Sequence, residues 1–581
     1  VGKFARVALG TSQVDYNGRF CMSSAAAAGN RAFGLDRGLP FPLADVAAAG
    51  CVVLVGSNVA ETMPPFMAHL AQQREAGGTL VVVDPRRTPT AAAADLHLQP
   101  LPGTDLALFN GLLHLAVAEG LVDTAYVAAR TTGWEAVLAE VGAWWPARVE
   151  RVTGVSEPDL RRALRLLADA PTAVVLSARG AEQHAHGVDT VLSLTNLALA
   201  LGLPGRPGSG WGCLTGQGNG QGGREHGQKA DQLPGYRSIS DPAARAHVAA
   251  VWGVDPSSLP GPGRSASELL DALGDGGGPR ALLLLASNPV VSAPDARHVA
   301  QRLASLDCLV VADLVLSESA ALADVVLPTA QWAEEDGTTT NLEGRVLLRR
   351  AALTPPPGVR TDLDVLAGLA QRLGCTASFP TEPEAVFEEL RRASAGGPAD
   401  YSGVTYDRLR AGEALHWPVP SVDSAGTPRL FLDRFATPDG RARFVAVDQP
   451  EPVEPVDDAW PLHLTTGRVA LQYQSGAQTR RVPALADAAP AAFVELHPHL
   501  AEQLGVVDGE RVRVSTRRGE AFLRVRVSDA IRPDTVFVPF HWAGKQRANS
   551  LTSRALDPVS RMPSFKVCAA RIDRLHAEAA R

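Results

Sequence analysis

The feature that most constrains the fold of this chain is a recurring apolar segment of strand length that runs directly into small polar residues. Such segments occur at 51–59 (CVVLVGSNV), 79–87 (TLVVVDPRR), 172–180 (TAVVLSARG), 281–289 (ALLLLASNP), 307–320 (DCLVVADLVLSESA) and 323–330 (ADVVLPTA). They are apolar throughout rather than alternating, which is typical of parallel strands covered on both faces. With helical segments between them, such as 64–78, they predict an α/β protein with two Rossmann-like, doubly wound sheets.

The last part of the chain follows a different pattern. A proline- and acid-rich stretch at 448–461 is typical of a linker. Beyond it, residues 509–529 alternate valine with arginine across a turn, and residues 534–542 form another strand-like run. Alternation with short turns predicts a compact C-terminal β-barrel domain.

The composition is that of an ordinary globular protein, and it excludes several classes. The chain has 581 residues, 45% of them hydrophobic and 20% charged, and a length of this order predicts roughly three or four domains. A net charge of −7 argues against nucleic-acid binding, and no apolar run reaches the ~18 residues of a membrane span. The six cysteines form no C-x-x-C pair, which indicates neither a disulfide framework nor a zinc site.

Two polar loops are candidates for binding a phosphate group. GSNVAET (56–62) and ASNPVVS (286–292) each follow a predicted strand and precede a helix, where main-chain N–H groups face an anion. Neither contains G-x-G-x-x-G, which disfavours ordinary NAD binding. Asp84, at the end of the next strand, suits a ribose hydroxyl or a guanine edge. As ordinary strand–helix turns the loops need no ligand, and that alternative stays open for each.

Residues 208–235 are unusually rich in glycine, with eight glycines between Gly208 and Gly223. A glycine-rich coil lets main-chain amides approach a ligand closely. The alternative, a flexible linker, is disfavoured by Trp211 and by the spaced amide side chains. Residues 323–346 lead from a strand into a polar loop that could by itself be a hairpin.

Cys21 lies in a loop-like segment, NGRFCMSS (17–24), of a chain with few thiols. By itself this cysteine could be a packed side chain, a nucleophile or a ligand for a soft metal. His184 and His186 could also bind a metal, but two histidines without a third ligand are more often hydrogen-bonding groups.

In this order along the chain, the segments resemble the DMSO reductase family of molybdenum enzymes. The resembling segments are GCVVLVGSNVAET, VVVDPRRT, LPGTDLAL, ARGAEQH, LTGQGNGQGGREHG, ASNPVVS, ADVVLPTAQWAEEDGTTTNLEGRV and TTGR. Within the family, GRFCMSSAAAAGNRAFG, YQSGAQTRR and FVPFHW are most similar to bacterial assimilatory nitrate reductases, with the periplasmic enzyme next. The resemblance implies reduction of nitrate to nitrite at a Mo-bis(molybdopterin guanine dinucleotide) centre.

The resemblance implies that Cys21 ligates molybdenum through its thiolate. A metal that is already bound by dithiolene sulfurs accepts another soft anionic donor, and a coordinated thiol is deprotonated. Met22 and Asp36 would lie near the metal, Gln221 would line the substrate pocket, and Arg224 would attract the anion.

The resemblance also implies the residues that bind the cofactor. For the first dinucleotide they are Gly56, Ser57, Asn58, Glu61 and Thr62 at the pyrophosphate, Asp84 and Arg86 at the nucleoside, Gly103, Thr104 and Asp105 at the guanine, and Gly180, Gln183 and His184 beside the pterin. For the second dinucleotide they are Ser287, Asn288, Pro289, Asp313 and Ser317. Gln217 is assigned to cofactor binding as well, and the terminal domain would contribute Thr466, Gly467, Arg468, Arg480, His541, Asn549 and Lys566.

The implied domains are a discontinuous molybdopterin-binding α/β domain (1–102 and 329–447), a second Rossmann-like α/β domain (103–328) and the β-barrel domain (462–581). The family's iron–sulfur domain has no counterpart in the sequence, and we expect a [4Fe–4S] segment upstream of Val1. Ferredoxin, flavodoxin or a flavoprotein would then donate the electrons, in the cytoplasm.

Two other functions remain open at this point. One is formate oxidation within the same family, and the other is a cofactor-binding scaffold without catalysis. Gln221 stands where the nitrate reductases usually have methionine, and it favours formate. Met22 stands where the formate dehydrogenases typically have histidine, and it favours nitrate. The retention of Cys21 argues against the scaffold.

Overall fold

The computed structural model describes residues 1–575 and divides them into two compact units. Unit 1 comprises Val1–Phe20, Thr215–Val290 and His298–Pro428. Unit 2 comprises Cys21–Leu214, Val291–Arg297 and the chain from Arg429 onward. Each unit contains a parallel sheet of its own.

The strands of the described chain are β1 (Cys51–Val55), β2 (Thr79–Val83), β3 (Leu96–Leu98), β4 (Thr131–Thr132), β5 (Ala173–Ser177), β6 (Gly210–Cys213), β7 (Gln232–Leu233), β8 (Arg237–Ser238), β9 (Ala281–Leu285), β10 (Cys308–Asp313), β11 (Val325–Pro328), β12 (Gly337–Thr340), β13 (Val346–Arg349), β14 (Ala442–Arg443), β15 (Leu462–Gly467), β16 (Phe493–Leu496), β17 (Arg511–Thr516), β18 (Glu520–Val527), β19 (Thr535–Pro539) and β20 (Cys568–Arg574).

The α-helices are α1 (Ser23–Phe33), α2 (Leu43–Ala48), α3 (Val59–Thr62), α4 (Met67–Glu75), α5 (Pro89–Ala92), α6 (Asp105–Ala118), α7 (Thr124–Arg130), α8 (Trp134–Val141), α9 (Pro146–Thr153), α10 (Glu157–Ala168), α11 (Arg179–Glu182), α12 (Gly187–Ala200), α13 (Gly220–Glu225), α14 (Pro242–Trp252), α15 (Ala266–Ala272), α16 (Pro289–Ser292), α17 (Ala296–Ala304), α18 (Asp362–Arg372), α19 (Pro383–Ser394), α20 (Tyr406–Arg410), α21 (Pro483–Ala488) and α22 (Pro498–Leu504).

Unit 2 is built around a five-stranded parallel sheet with the order β3-β2-β1-β5-β6. Val53 in the central strand lies between Val81 and Val175, and every residue of β1 and β5 is buried. Helices α10 and α12 pack against these strands. Apolar strands covered on both faces are what the sequence predicts, and for this sheet the prediction is confirmed.

The glycine-rich segment contains regular structure that the sequence does not predict. Residues 210–213 form β6, in which Cys213 pairs with Ser177 of β5, and residues 220–225 form α13. The expectation of a coil throughout 208–235 is therefore wrong. Main-chain pairing at the edge of an existing sheet outweighs the weak strand propensity of glycine.

The C-terminal strands of unit 2 close into a barrel with the order β15-β19-β16-β18-β17-β20. Alternate residues of these strands, among them Val512, Leu523 and Val536, point into a common apolar core. The prediction of a C-terminal β-barrel is confirmed.

Unit 1 contains a smaller parallel sheet with the order β11-β10-β9 and an antiparallel hairpin of β12 and β13. The expectation that residues 281–285 and 325–328 form fully buried strands is wrong, because β9 and β11 are partly or largely exposed. Both are edge strands of a three-stranded sheet, so each has a neighbouring strand on one side only.

A mixed α/β architecture with a C-terminal barrel therefore follows from both sequence and structure. The assignment of each parallel sheet to a Rossmann-like domain, and the predicted domain boundaries, stay predictions. Among residues 1–575, no helix is both long enough and apolar enough to span a membrane.

Candidate functional site

Cys21 lies directly before α1, with Met22 at the N-terminal end of that helix. Both side chains are buried, with exposed fractions of 6% and 1%. The Sγ atom of Cys21 accepts a hydrogen bond from Nη1 of Arg179 at 3.4 Å. Cys21 is therefore held in contact with a cationic group rather than packed among apolar side chains alone.

Arg179 is the functional candidate that the sequence analysis missed. It begins α11 at the carboxyl end of β5, and its guanidinium pairs with the fully buried carboxylate of Glu182. The other oxygen of Glu182 accepts a hydrogen bond from Ser177 Oγ at 2.7 Å. The signal that could have found this arginine is its position directly after a buried strand. It lies next to Gly180, which the sequence analysis did assign to the site.

Two further cations in unit 2 contribute to the electrostatics around Cys21. Burial lowers the pKa of Arg468, whereas the nearby Cys21 raises it. Burial also lowers the pKa of Lys566 to about 7, and the positive charges of Arg468 and Arg179 act in the same direction. The Nζ atom of Lys566 donates to Thr466 O at 2.6 Å. These groups form an environment that favours an anion.

Asp36 lies in the same unit, 4% exposed, with Oδ1 accepting a hydrogen bond from Gly38 N at 3.0 Å. The carbonyl of Gly38 accepts a bond from Cys213 N, so the Asp36 loop lies along β6. Burial and the charge of Glu182 raise the pKa of Cys213, and the charge of Asp36 makes a smaller contribution in the same direction. The structure therefore brings Asp36 close to Cys213, and its predicted place beside the metal stays a prediction.

Two turns meet at the carboxyl ends of β1 and β5. Gly56 has φ +61°, and a Cβ atom at this position would lie 2.4 Å from Ala181 N. A Cβ atom at Gly180 would lie 2.4 Å from the Cα of Gly56. The main chains of the two turns are joined by a hydrogen bond from Gly180 N to Gly56 O. Only glycine at these two positions allows such a close approach.

The polar residues after Gly56 bond largely to one another. Asn58 Nδ2 donates to Glu61 Oε2 at 2.5 Å, and Thr62 Oγ1 donates to Asn58 O at 2.8 Å. The Oδ1 atom of Asn58 accepts from Thr90, beyond β2, and Ser57 is buried. The helix after this loop, α3, spans only Val59–Thr62, so the macrodipole expected to favour a phosphate is that of a single turn.

The residues predicted to bind the nucleoside and guanine differ in their surroundings. Burial raises the pKa of Asp84, although its Oδ1 accepts a hydrogen bond from Arg86 N. Burial raises the pKa of Asp105 to about 7 at the start of α6. Thr104 Oγ1 donates to Leu101 O at 2.7 Å, and Gly103 has φ +87°. Two desolvated carboxyl groups thus lie in one region of unit 2.

His184 acts as a hydrogen-bonding group, as the alternative interpretation states. Its Nε2 atom lies 2.6 Å from Gly180 O, and burial lowers its pKa to about 4, so the ring is neutral at pH 7. The carbonyl of Gln183 accepts a hydrogen bond from Phe565 N. Among the residues that the structure describes, no cluster of three or more His, Cys, Asp or Glu side chains could hold a metal ion.

The terminal-domain candidates belong to the barrel and its loops. Thr466 and Gly467 end β15, and His541 Nε2 accepts a hydrogen bond from Val469 N at 3.0 Å. Burial lowers the pKa of His541 to about 4. Asn549 Nδ2 donates to Val291 O at 2.7 Å, and Arg480 Nη2 donates to Ser475 O.

In unit 1, Gln221 and Arg224 lie on α13 with exposed fractions of 1% and 5%, and Arg224 Nη2 donates to Gln221 Oε1. Gln217 Oε1 accepts a hydrogen bond from Asn17 Nδ2 at 2.5 Å. Because Cys21 belongs to unit 2, the convergence of Gln221 and Arg224 on that cysteine stays a prediction.

The candidates for the second dinucleotide lie together after β9 and β10 in unit 1. Asn288 Oδ1 accepts hydrogen bonds from the main chain and side chain of Ser319. Ser317 Oγ donates to Asp313 Oδ2 at 2.9 Å. Unit 2 contains the same arrangement, because Asn58, which follows β1, accepts a hydrogen bond from the hydroxyl of Thr90, which follows β2. Pro289 follows this loop and begins α16, which is a single helical turn. Ser287 lies in the loop, before Asn288.

The sequence matches two known protein families. Residues 2–372 match Molybdopterin oxidoreductase, and residues 462–569 match the Molydopterin dinucleotide binding domain. The chain belongs to the molybdopterin oxidoreductase family. The second match coincides with the barrel of unit 2, so this molybdopterin oxidoreductase contains a domain of the kind that binds a molybdopterin dinucleotide.

Curated relatives of this molybdopterin oxidoreductase include both nitrate reductases and formate dehydrogenases. It is 45% identical over 575 residues to the assimilatory nitrate reductase catalytic subunit of Bacillus subtilis, covering 98% of this chain and 81% of the relative. It is 37% identical over 576 residues to the F420-dependent formate dehydrogenase 1 subunit alpha of Methanococcus maripaludis, covering 99% and 83%. The fold resembles that of acetylene hydratase from Pelobacter acetylenicus, with a TM-score of 0.71, 20% identity, and coverage of 96% of this chain and 81% of that one.

The residues of unit 2 fit a molybdenum–molybdopterin cofactor. Cys21 would supply a soft donor of the kind that a molybdenum ion accepts. The contact between Gly56 and Gly180 leaves two bare main-chain turns side by side at the end of the sheet. His186 Nε2 is buried without a hydrogen-bond partner in the protein, and buried polar atoms of this kind are normally paired.

Proposed function

We propose that this molybdopterin oxidoreductase reduces nitrate to nitrite, with Cys21 as the protein ligand of molybdenum. The observation that carries the proposal is the buried Cys21-Met22 pair before α1, with Arg179 in contact with Cys21 Sγ. The 45% identity to a nitrate reductase over 98% of the chain supports it.

When bound, the molybdenum–molybdopterin group supplies the two-electron redox chemistry and the acceptor for the oxygen atom. The contribution of the protein is to bind, to orient and to provide charge. Arg179 donates a hydrogen bond to Cys21 Sγ, and the charge of Arg468 lies near the same side chain. The same positive charges favour the approach of an anionic substrate.

Met22 is the residue that distinguishes the two substrates. Reduction of nitrate consumes two protons and two electrons and releases water, whereas oxidation of formate to carbon dioxide releases one proton and two electrons. A thioether cannot accept or donate a proton at any ordinary pH. A buried methionine beside the ligating cysteine therefore suits oxygen transfer, for which solvent supplies the protons.

Formate oxidation is the second candidate, and Gln221 is the observation that favours it. Gln221 is buried and bonded to Arg224, so its amide is held in one orientation. The 37% identity to a formate dehydrogenase alpha subunit also supports this alternative. Assays with the two substrates distinguish the candidates.

We further propose that the metal is held by two guanine dinucleotides. The support is the pair of parallel sheets, each with an asparagine-centred loop after one strand and a hydroxyl partner after the next. In this arrangement each sheet belongs to a Rossmann-like domain. Ferredoxin, flavodoxin or a flavoprotein would donate the electrons through a [4Fe–4S] centre.

The test is an assay of the molybdenum-loaded protein with reduced viologen and nitrate, and separately with formate and oxidised viologen. We expect nitrite in the first assay and no formate oxidation above background in the second. Cys21→Ala should abolish nitrite formation, whereas the control Cys375→Ala, in unit 1, should retain it. Formate oxidation without nitrite formation would overturn the proposal. A protein that binds no molybdenum would be the scaffold.

A further inference from the structure

Every N–H group of Arg179 has an acceptor in unit 2. Nε and one hydrogen of Nη2 point to Glu182 Oε2, at 2.9 and 2.5 Å. The other hydrogen of Nη2 points to Cys213 Sγ at 3.0 Å. The two hydrogens of Nη1 serve Leu214 O at 2.9 Å and Cys21 Sγ at 3.4 Å. A guanidinium has five N–H donors in a rigid plane, so these five bonds fix its position and its tilt.

The guanidinium is anchored on the side away from the sulfurs. Glu182 is fully buried, as is Ser177, which donates to its second oxygen. Ser177 is the last residue of β5, and Arg179 and Glu182 are the first and last residues of α11. A rigid strand end therefore holds the carboxylate, and the carboxylate holds the guanidinium.

Two sulfur atoms, which belong to different secondary-structure elements, accept hydrogen bonds from this guanidinium. Cys213 ends β6, next to β5 in the sheet, and Cys21 precedes α1. Cys213 is thus fixed in the sheet by main-chain pairing, whereas Cys21 lies outside the sheet, before the start of a helix.

We propose that Arg179 is a positioning residue, whose guanidinium orients Cys21 Sγ for ligation and holds Cys213 Sγ beside it as a second sulfur that does not ligate. This inference rests on the proposed ligation of molybdenum by Cys21. It adds a specific role to a residue in contact with the ligand and assigns a second sulfur to the site. Partners that orient metal ligands commonly change affinity or activity by about 10- to 100-fold.

The first test uses the metal-free protein and does not depend on the cofactor. A short bifunctional alkylating reagent is added, and peptides are mapped by mass spectrometry. Because both sulfurs bond to one guanidinium, we expect a cross-link between Cys21 and Cys213. Separate modification of the two cysteines without any link would contradict the geometry and overturn the proposal.

The second test uses the molybdenum-loaded protein, with electron paramagnetic resonance of Mo(V) and X-ray absorption at the molybdenum edge. We expect Arg179→Gln to change the Mo(V) spectrum and to lower kcat about 10- to 100-fold with little change in KM. Arg179→Lys, which keeps the charge, should partly restore the parent Mo(V) spectrum and the parent kcat. Cys213→Ala should keep the sulfur coordination of the metal, and the control Arg429→Lys, which alters a partly buried ion pair with Asp45, should leave the spectrum unchanged.

The outcomes separate this inference from the proposed function. If Cys21→Ala leaves the sulfur coordination of molybdenum unchanged, the proposed ligation itself fails. If Cys21→Ala changes it but Arg179→Gln and Glu182→Gln give the parent spectrum, ligation stands and the positioning role is overturned. Loss of a molybdenum–sulfur contact in Cys213→Ala would overturn the role assigned to Cys213. Should Arg179→Gln not fold, Glu182→Gln and Arg179→Lys decide the question by the same spectrum.

Discussion

Arg86 and Glu495 form a bidentate ion pair within unit 2, with Nε and Nη2 of the arginine each 2.9 Å from a carboxylate oxygen. Arg86 follows β2 of the parallel sheet, and Glu495 lies in β16 of the barrel. The guanidinium also lies 3.7 Å from the ring centroid of Phe537. The pair therefore joins the sheet to the barrel, and the binding of a nucleoside by Arg86 stays a prediction.

We expect Glu495→Gln to lower the free energy of unfolding by about 3 kcal/mol, since it leaves a largely buried guanidinium without its counter-charge. Calorimetric unfolding of the cofactor-free protein measures the effect. Glu157→Gln is the control, because Glu157 pairs with Arg161 on the surface, and exposed pairs contribute under about 1 kcal/mol. Equal effects of the two substitutions would contradict the prediction.

The contact between Gly56 and Gly180 predicts a steric effect. Gly56→Ala places a Cβ atom 2.4 Å from Ala181 N at φ +61°, so the two turns must separate. We expect destabilisation above about 3 kcal/mol and loss of the molybdopterin cofactor from the purified protein. Gly77→Ala is the matched control, with φ +86° and no atom within 4 Å of the added Cβ. It should cost only the backbone strain, about 1 kcal/mol, and retain the cofactor.

The buried carboxyl of Asp105 predicts a dependence of stability on pH. Its pKa is raised from 3.8 to about 7 by burial, so the folded state binds the proton more tightly than the unfolded state does. The associated stability is fully present below pH 3.8 and is lost as the pH rises through about 7. We expect Asp105→Asn to remove this loss and to stabilise the cofactor-free protein at pH 8 by about 4 kcal/mol.

Denaturant unfolding between pH 4 and 8 measures that dependence. Asp123 provides a control of opposite sign, since its pKa is lowered by hydrogen bonds from Tyr126 N and Arg206. Its stabilisation is present at neutral pH and is lost as the pH falls, so Asp123→Asn should destabilise the protein at pH 8. An Asp105→Asn curve parallel to that of the parent protein would show that the pKa of Asp105 is not raised.

The carboxylate of Glu225 in unit 1 predicts the effect of removing one donor. It is fully buried and accepts hydrogen bonds from Trp417 Nε1 at 2.6 Å, from Thr340 Oγ1 at 2.7 Å and from Tyr401. Trp417→Phe deletes one donor and leaves a carboxylate oxygen unpaired, at a cost of about 2 kcal/mol. Trp145→Phe, at a side chain that is 48% exposed, should cost under about 0.5 kcal/mol. Thermal unfolding of both variants decides the matter.

The residues predicted to bind the cofactor show which parts of the site can be identified from local sequence. Gly56 and Asn58 were identifiable because an apolar strand ending in small polar residues has few structural interpretations. Arg179 was not, because nothing near it in sequence shows that its guanidinium meets Cys21 and Cys213. The strand β6 was missed for a related reason, since glycines pair in a strand only where a neighbouring strand is already in place.

The sequence by itself determined the parallel strands of β1, β2 and β5, the alternating strands of the barrel and the family. These features depend on periodicity and on the order of motifs, which are properties of neighbouring residues. Only the tertiary structure decided which charges are neutralised and which sulfurs share a donor. Those contacts join residues far apart in the chain, such as Arg86 with Glu495 and Cys21 with Arg179. Their energies depend on burial and geometry, which exist only once the chain has folded.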